Sequence, residues 1–344
     1  MILAVESSCD DTCAAVLDGH GAIRSNVISS QEQHARFGGV VPEIAARHHL
    51  ELIDVVIDAA LSRAGVSLAD VELVAATRGP GLIGALLVGF SSAKALAAAR
   101  ELPFAPVDHL QGHVAANFVQ DGGGPFEPPF ICLIASGGHT LLARVSEHDG
   151  FEVLGRTLDD AAGEAFDKGA RLLGLGFPGG AALERLAADG DPAAFSLPGS
   201  PGERSLGRRA AHRKDFARGL DFSFAGVKTA LLYIVRGLSE KELGARAADL
   251  AASYQAAIVQ SLLERAEQAL TSTGCRRLAV GGGVVANGVL RGRLLELDAE
   301  VHIPERSLCT DNAAMIASAA RFGERIAYPH YLALDAYASG ERPA

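Results

Sequence analysis

Two histidines four residues apart carry the clearest chemical signal in this sequence. His109-Leu-Gln-Gly-His113 puts two imidazoles at i and i+4, one above the other on a helix face and close enough to share a metal ion. Taken alone, such a pair reads as well as two helix-surface or capping histidines. A third ligand of oxygen type favours the metal. Cys309-Thr310-Asp311-Asn312 offers Asp311, at the start of a helix that follows a strand ending in Pro304. The plain alternative for Asp311 is the N-cap of that helix, a position aspartate favours. Two histidines and one carboxylate with open positions suit one divalent metal, iron(II) first and zinc second. No Glu follows the first histidine, so the H-E-x-x-H metallopeptidase motif is absent.

Other segments could hold a substrate. Ser136-Gly137-Gly138-His139-Thr140 is a tight turn after a buried strand, and its glycines let backbone N–H groups approach an anionic or carbonyl ligand. Ala279 to Asn287, AVGGGVVAN, reads as strand, Gly-rich turn and helix start. That is a place for an adenine or ribose with Asn287 as amide reader, or simply a close strand-to-helix packing turn. Asp167 lies on a helix with a short polar face, ahead of the rigid turn Phe177-Pro-Gly-Gly180. It could accept from a ligand hydroxyl, or be a solvated or ion-paired Asp. Asp10 and Asp11 fall at the first hairpin turn, either as ordinary turn formers or as a pair that orients a metal-bound or attacking group.

The elements that must position these residues come in two similar series. ILAVES and CAAVLD are apolar runs joined by a polar turn, with GAIRSNVI as a third strand. A helix is predicted from Pro42 to about Ala64, with Ile44, Leu52, Val55, Val56 and Ala59 at helical spacing. A buried strand VELVAATRG, a small-residue helix from Ala85 to Arg100 and a strand PFAPVD lead to His109. The second half begins again with a hairpin, FICLIAS and TLLARVSE around Ser-Gly-Gly-His, and a third strand FEVLGRTL. Helices follow, then a polar insertion at about 186–220, a long helix from about Lys241 to Thr271, the strands RRLAVGG and EVHIP, and a last helix near Asp311. This order predicts a duplicated α/β unit. Paired polar turns, one per lobe and facing a cleft, are how actin-like ATPases hold nucleotide phosphates. By that fold-level analogy the expected fold is α/β, a duplicated actin-like (actin/Hsp70/sugar-kinase) architecture with a central cleft. The expected lobes are residues 1–125 and 126–324, with 325–344 packing back on the first. No G-x-G-x-x-G follows the first strand, which disfavours a dehydrogenase.

Composition narrows the function class. The chain has 344 residues, 49% hydrophobic and 21% charged, which suits two packed lobes. Trp is absent and aromatics are 6%, so no aromatic platform for single-stranded nucleic acid is expected. The N-terminal MILAVESS reads as a buried strand rather than a signal peptide, and no apolar run reaches the length of a membrane span. Five scattered cysteines without a C-x-x-C pair fit a reduced cytoplasm. Net charge is −10, which alone disfavours a nucleic-acid ligand. Residues 203–219 are the exception, with six Lys/Arg against two acids, either a solvated loop or a phosphate-contacting patch.

Taken together, VESSCDDT, HARFGGVVPEIAARHH, TRGPGLIGALLVG, HLQGH, ASGGHT, GEAFDKGARLLGLGFPGG, FSFAGVKT, GGGVVAN and CTDNAAMIA run in one order through nearly the whole chain. They resemble the TsaD family, formerly described as O-sialoglycoprotein endopeptidases. The resemblance implies an actin-like fold and transfer of threonylcarbamoyl from threonylcarbamoyl-adenylate to the exocyclic amine of the adenosine 3′ of the anticodon, in tRNAs reading codons that start with A. It implies His109, His113 and Asp311 as metal ligands, and substrate contacts from Ile134, Ala135, Ser136, Gly137, Gly138, Asp167, Gly180, Glu184 and Asn287. It also implies a paralogous actin-like partner (TsaB) and a small ATPase partner (TsaE). Departures from the family pattern are Asp11 for a usual Glu, Asp108 for a common Asn, Gly288 for a usual Arg, and Glu184 where several relatives have Asp. Asp10 and Asp11 are the candidates for a general base. The rival readings are a small-molecule kinase of the same fold, which gives no reason for two histidines and an aspartate, a metallopeptidase, and a non-catalytic scaffold.

Overall fold

A computed structural model describes residues 1–120, 124–200 and 219–339. The basic segment 203–219, with Arg208, Arg209, Arg213 and Lys214, lies outside the described residues except for Gly219. The chain divides into two compact units. One comprises Met1–Pro128, Ser146–Phe151 and Pro304–Ala344, and the other Pro129–Val145 and Glu152–Ile303.

The first unit is built on β1 (Ile2–Glu6), β2 (Asp11–Leu17), β3 (Ile23–Ser30), β4 (Leu73–Gly79) and β5 (Phe104–Asp108), in the order β3-β2-β1-β4-β5. β1 runs antiparallel to β2 and parallel to β4, and β4 runs parallel to β5. Every residue of β1 is buried, so it reads as a continuous apolar run ending in one acid, Glu6. Helix α1 (Pro42–Ala64) starts on Pro42, whose missing N–H costs nothing in a first turn, and stops at Gly65 in the left-handed conformation. Its buried stripe is Ala45, His49, Ile53, Val56, Ile57, Ala60 and Leu61. Val55, expected on that stripe, is 62% exposed, because it sits about a quarter turn from the row that faces the sheet. Helix α2 (Ile83–Ala99) packs against both α1 and the sheet: a Cβ on Gly84 would stand 3.3 Å from Ala46 Cβ of α1, and one on Gly89 3.1 Å from Val5 Cγ1 of β1, so both glycines permit close approach. Phe90, Phe104 and Tyr331 close this core, with ring centroids 5.3 Å apart in each successive pair. Burying each such side chain contributes about 1.5–3 kcal/mol.

The C-terminal stretch is stitched to the same sheet. Phe104 and Ile326 exchange two backbone hydrogen bonds of 2.9 Å, and Tyr337 N–H donates to Arg78 O at 3.0 Å.

The second unit carries β6 (Phe130–Ala135), β7 (Thr140–Glu147), β8 (Gly150–Arg156), β9 (Arg277–Gly281) and β10 (Glu300–His302), ordered β10-β9-β6-β7-β8. Counted outward from the first strand of each half, the two sheets have the same strand order. The pairing senses repeat as well: β6 is antiparallel to β7 and parallel to β9, which is parallel to β10. The duplicated α/β unit expected from the sequence is therefore present at the level of topology. Helices α4 (Ala162–Leu172), α5 (Gly179–Ala187), α6 (Ala225–Arg236) and α7 (Glu240–Thr273) lie between β8 and β9, and α8 (Gly288–Leu294) between β9 and β10. The 34 residues of α7 begin on a capping box, Ser239 with Glu242, and end at the left-handed Gly274. Among the described residues, no helix is long and apolar enough to cross a membrane. The five cysteines are free thiols.

Candidate metal centre and substrate-binding residues

The histidine pair sits at the carboxyl ends of parallel strands, where open α/β sheets place their ligands. Helix α3 (His109–Ala115) follows β5 directly. Asp108 starts it, its Oδ1 accepting from Leu110 N at 2.8 Å and Gln111 N at 3.2 Å. Asp108 Oδ2 accepts from the Tyr337 hydroxyl at 2.7 Å, so the Asp that replaces a common Asn holds the helix start on two sides. Within the pair, Gly112 has a packing reason. A Cβ there would stand 2.7 Å from Ile316 Cδ1, on helix α10 (Ala313–Ala320), which follows the single turn α9 (Arg306–Cys309). The glycine lets α3 press against the element that delivers Asp311.

Asp311 is not the helix cap. That role falls to Asn312, whose Oδ1 accepts from Met315 N at 3.0 Å. The neighbouring carboxylate is thereby released toward the histidines. Asp311 Oδ1 is 3.3 Å from His113 Nε2 and 3.7 Å from His109 Nε2, and one ligand atom from each residue lies within 4.8 Å of the others. His113 is fully buried, and among the described residues neither of its ring nitrogens has a hydrogen-bond partner. Buried polar groups are normally satisfied, so a fully buried imidazole left this way fits the role of a metal ligand. The field agrees. Burial alone would push the His109 imidazolium down, but the Asp311 and Glu6 carboxylates outweigh it and raise it to about 9. An environment that holds a proton so firmly favours a metal ion at the same place. The donor set fits one metal.

His109 has a further partner that the sequence did not disclose. Its Nδ1 is 3.0 Å from Glu6 Oε2 and 3.2 Å from Ser8 Oγ. Glu6 is fully buried and accepts from Thr77 Oγ1 at 2.5 Å and from Ser8 N–H. Burial alone would raise this carboxyl, but the His109 imidazolium outweighs it and holds Glu6 below its ordinary value. The available signal was one acid closing an otherwise apolar strand.

Asp10 and Asp11 stand at the β1–β2 turn of the same unit. Burial raises the Asp11 carboxyl to about 7 against the lowering bond from Ser30, and the charges of Asp311, Asp10 and Glu6 add to the rise. The turn is anchored from α1. His49 Nε2–H donates to Cys9 O at 3.0 Å, which leaves Nδ1 to accept from Thr12 Oγ1 at 2.8 Å.

The remaining candidates gather in the second unit. Ser136 N–H is spent on His139 O at 2.8 Å, so of the turn's three amides only those of Gly137 and Gly138 could serve a ligand. A Cβ on either glycine would meet nothing within 4 Å, so protein packing does not require them. Gly163 of α4 is different: its N–H donates to Ser136 O at 3.1 Å, and a Cβ would stand 2.7 Å from that oxygen and from Gly137 Cα. Ile134 and Ala135 are fully buried in β6. Asp167 Oδ1 accepts from Gly179 N at 2.8 Å, at the start of the helix that carries Gly180 and Glu184. Glu184 Oε1 accepts from Gly288 N at 2.7 Å. Asn287 caps α8, its Oδ1 accepting from Leu290 N at 3.0 Å while Nδ2 donates to Gln255 Oε1 at 2.7 Å. Asp167, Gly180, Glu184 and Asn287 thus follow one another along α4, α5 and α8. Asn287 has much of its amide engaged within the protein.

The sequence model of the TsaD family, tRNA N6-adenosine threonylcarbamoyltransferase, matches residues 22–318. The chain belongs to the TsaD family. It is 48% identical over 324 residues to the tRNA N6-adenosine threonylcarbamoyltransferase of Desulforapulum autotrophicum, covering 92% of each chain. It is likewise 48% identical over 341 residues to the enzyme of that name from Symbiobacterium thermophilum, covering 98% of this chain and 95% of the other. Among solved structures it is similar to HypF of T. kodakarensis, with TM-score 0.59 at 13% identity over 93% of this chain and 47% of that one. At that identity the likeness speaks for fold alone, and the fold is the actin-like ATPase fold. Against this TsaD background, His109, His113 and Asp311 are, among the described residues, the one group of three His, Cys, Asp or Glu placed to hold a metal ion.

Proposed function

We propose that this chain is a tRNA N6-adenosine threonylcarbamoyltransferase that moves the threonylcarbamoyl group of threonylcarbamoyl-adenylate onto the N6 amine of the adenosine 3′ of the anticodon. The tRNAs are those reading codons that start with A, and AMP is the leaving group. The observation that carries this reading is the match to the TsaD family over residues 22–318. The amine nitrogen attacks the carbamoyl carbon, the bond from that carbon to the phosphate oxygen breaks, and the amine proton passes to Asp10 or Asp11. Ile134 to Gly138, Asp167, Gly180, Glu184 and Asn287 hold the adenylate, with Gly137 and Gly138 N–H groups donating to the carbonyl or phosphate oxygens as charge builds there. His109, His113 and Asp311 would hold one iron(II) or zinc ion, which supplies Lewis acidity toward the carbonyl or the departing phosphate. The protein works in the cytoplasm with a TsaB-like paralogue and a TsaE-like ATPase.

The test is nucleoside mass spectrometry of unmodified tRNA incubated with the protein, both partners and threonylcarbamoyl-adenylate. Threonylcarbamoyladenosine and stoichiometric AMP are expected. Absence of the modified nucleoside with all components present would sink the reading. Metallopeptidase activity has no support in the site, since Leu110 stands where that motif needs its Glu.

A further inference from the structure

We infer that Glu6 is a positioning residue of the metal centre: its buried carboxylate accepts a hydrogen bond from the Nδ1–H of His109 and so leaves Nε2 as the ligating nitrogen. This rests on the proposed metal site. Three observations carry it. Glu6 closes β1 and His109 follows β5, with β4 between them, and the two side chains meet across that strand at 3.0 Å from Nδ1 to Oε2. The opposite ring nitrogen, Nε2, is the one 3.7 Å from Asp311 Oδ1. The carboxylate itself is held in place. Ser8 N–H donates to Oε1 and Thr77 Oγ1 donates to Oε2 at 2.5 Å, so Glu6 has little freedom to turn away. Among the described residues, His109 is the one basic side chain within ion-pair distance of it.

A buried acid without Lys or Arg beside it is costly unless it serves something. A histidine ligand that gives its other N–H to a carboxylate is oriented, fixed in one tautomer and made a stronger donor. The plain structural alternative is that Glu6 only braces the β1–β2 turn through Ser8. The two differ in what happens to the metal. Replacing Glu6 by Gln keeps the shape but turns one acceptor into a donor. Facing Ser8 N–H, the new amide meets a donor; facing Thr77 and His109, it meets two.

The experiment uses the full chain, stripped of metal, with zinc ion as probe and a chromophoric chelator in competition. Wild type should bind one zinc per chain. Glu6→Gln should weaken that affinity by about 10–100-fold, whereas Thr77→Val, which spares the His109 contact, should change it several-fold less. Long-range proton–nitrogen NMR of zinc-loaded wild type should place the His109 proton on Nδ1. That measurement stands even if Glu6→Gln fails to fold. Unchanged zinc affinity in a folded Glu6→Gln protein, or a His109 proton on Nε2, overturns the assignment of Glu6 and leaves the metal site intact. Zinc binding that is absent from wild type, or that survives His113→Ala undiminished, overturns the metal site itself and this inference with it.

Discussion

His113 shows best how a single side chain ties stability to ligation. Neither of its two buried nitrogens has a hydrogen-bond partner among the described residues, although Nε2 stands 3.3 Å from Asp311 Oδ1, and an unsatisfied buried polar group costs about 1–3 kcal/mol. The metal-free protein should therefore gain from an apolar replacement of similar size. His113→Leu is expected to melt at the same temperature as metal-free wild type or higher. It should also lose the rise in melting temperature that zinc gives wild type, because a ligand stabilises only what it binds. Differential scanning calorimetry with and without zinc measures both halves, and a zinc-induced rise that persists in His113→Leu would remove His113 from the ligand set. The histidine spacing was legible because i, i+4 on a helix forces two imidazoles together wherever the helix lies. Asp311 was half legible. Which of two adjacent residues, Asp311 or Asn312, caps the helix depends on a backbone turn that composition does not encode, since both are good caps. Glu6 was not legible as a partner of His109. A contact between residues 6 and 109 depends on strand order, and only the folded sheet sets that.

Among the elements, α4 is where two sequence motifs acquire a physical reason. Asp160, just before it, bridges Lys168 on α4 and Lys228 on α6, each at 2.7 Å. Asp159 caps α6 through Phe224 N at 2.7 Å and Ala225 N at 3.2 Å. The lysine bonds outweigh burial and hold the Asp160 carboxyl below its ordinary 3.8. A depressed folded value means stability that is present above pH 3.8 and fades as pH falls through the lower folded value. Asp160→Asn should therefore cost about 1–3 kcal/mol at pH 7. The gap from wild type should narrow below pH 4, as urea unfolding across pH would record. An equal cost at pH 7 and pH 3 would mean that the bridge is not electrostatic. The glycines of the neighbouring turn give a paired test. Gly163→Ala forces a Cβ against Ser136 O and Gly137 Cα, backbone atoms that cannot swing aside, and should cost about 1–3 kcal/mol. Gly137→Val enters open space and should keep the wild-type melting temperature while abolishing transfer. Wild-type turnover in Gly137→Val would make the turn purely structural. From sequence, all these glycines look alike. What separates Gly163 from Gly137 is a neighbour 26 residues away.

For the whole molecule, charge is the quantity that matters. At −10 the chain should hold tRNA poorly by itself, because affinity grows with the number of phosphates neutralised. Its concentrated positive charge is the 203–219 segment. Replacing Arg208 and Arg209 with Ala should weaken tRNA binding in the presence of the partner proteins and lower the salt slope by about two, roughly one unit per lost phosphate contact. Zinc affinity should not change. An unaltered slope in that double variant would show that the segment takes no part in tRNA binding. The duplicated architecture was legible at this scale because each half spells the same series of apolar runs and turns. The chain's crossing back at Pro304 was not, since a helix sequence does not state which sheet it will cover.

That return has a consequence for how the protein is made. The first unit draws Glu6 and both histidines from residues 1–128, but the proposed third metal ligand arrives only at residue 311, and the Tyr337 hydroxyl that braces Asp108 comes later still. A ribosome that has released the first 128 residues has delivered two imidazoles and no Asp311. The proposed three-ligand site cannot form before Asp311 has been made, so a product stopped short of residue 311 should hold zinc through two imidazoles at most and bind it more weakly than the full chain.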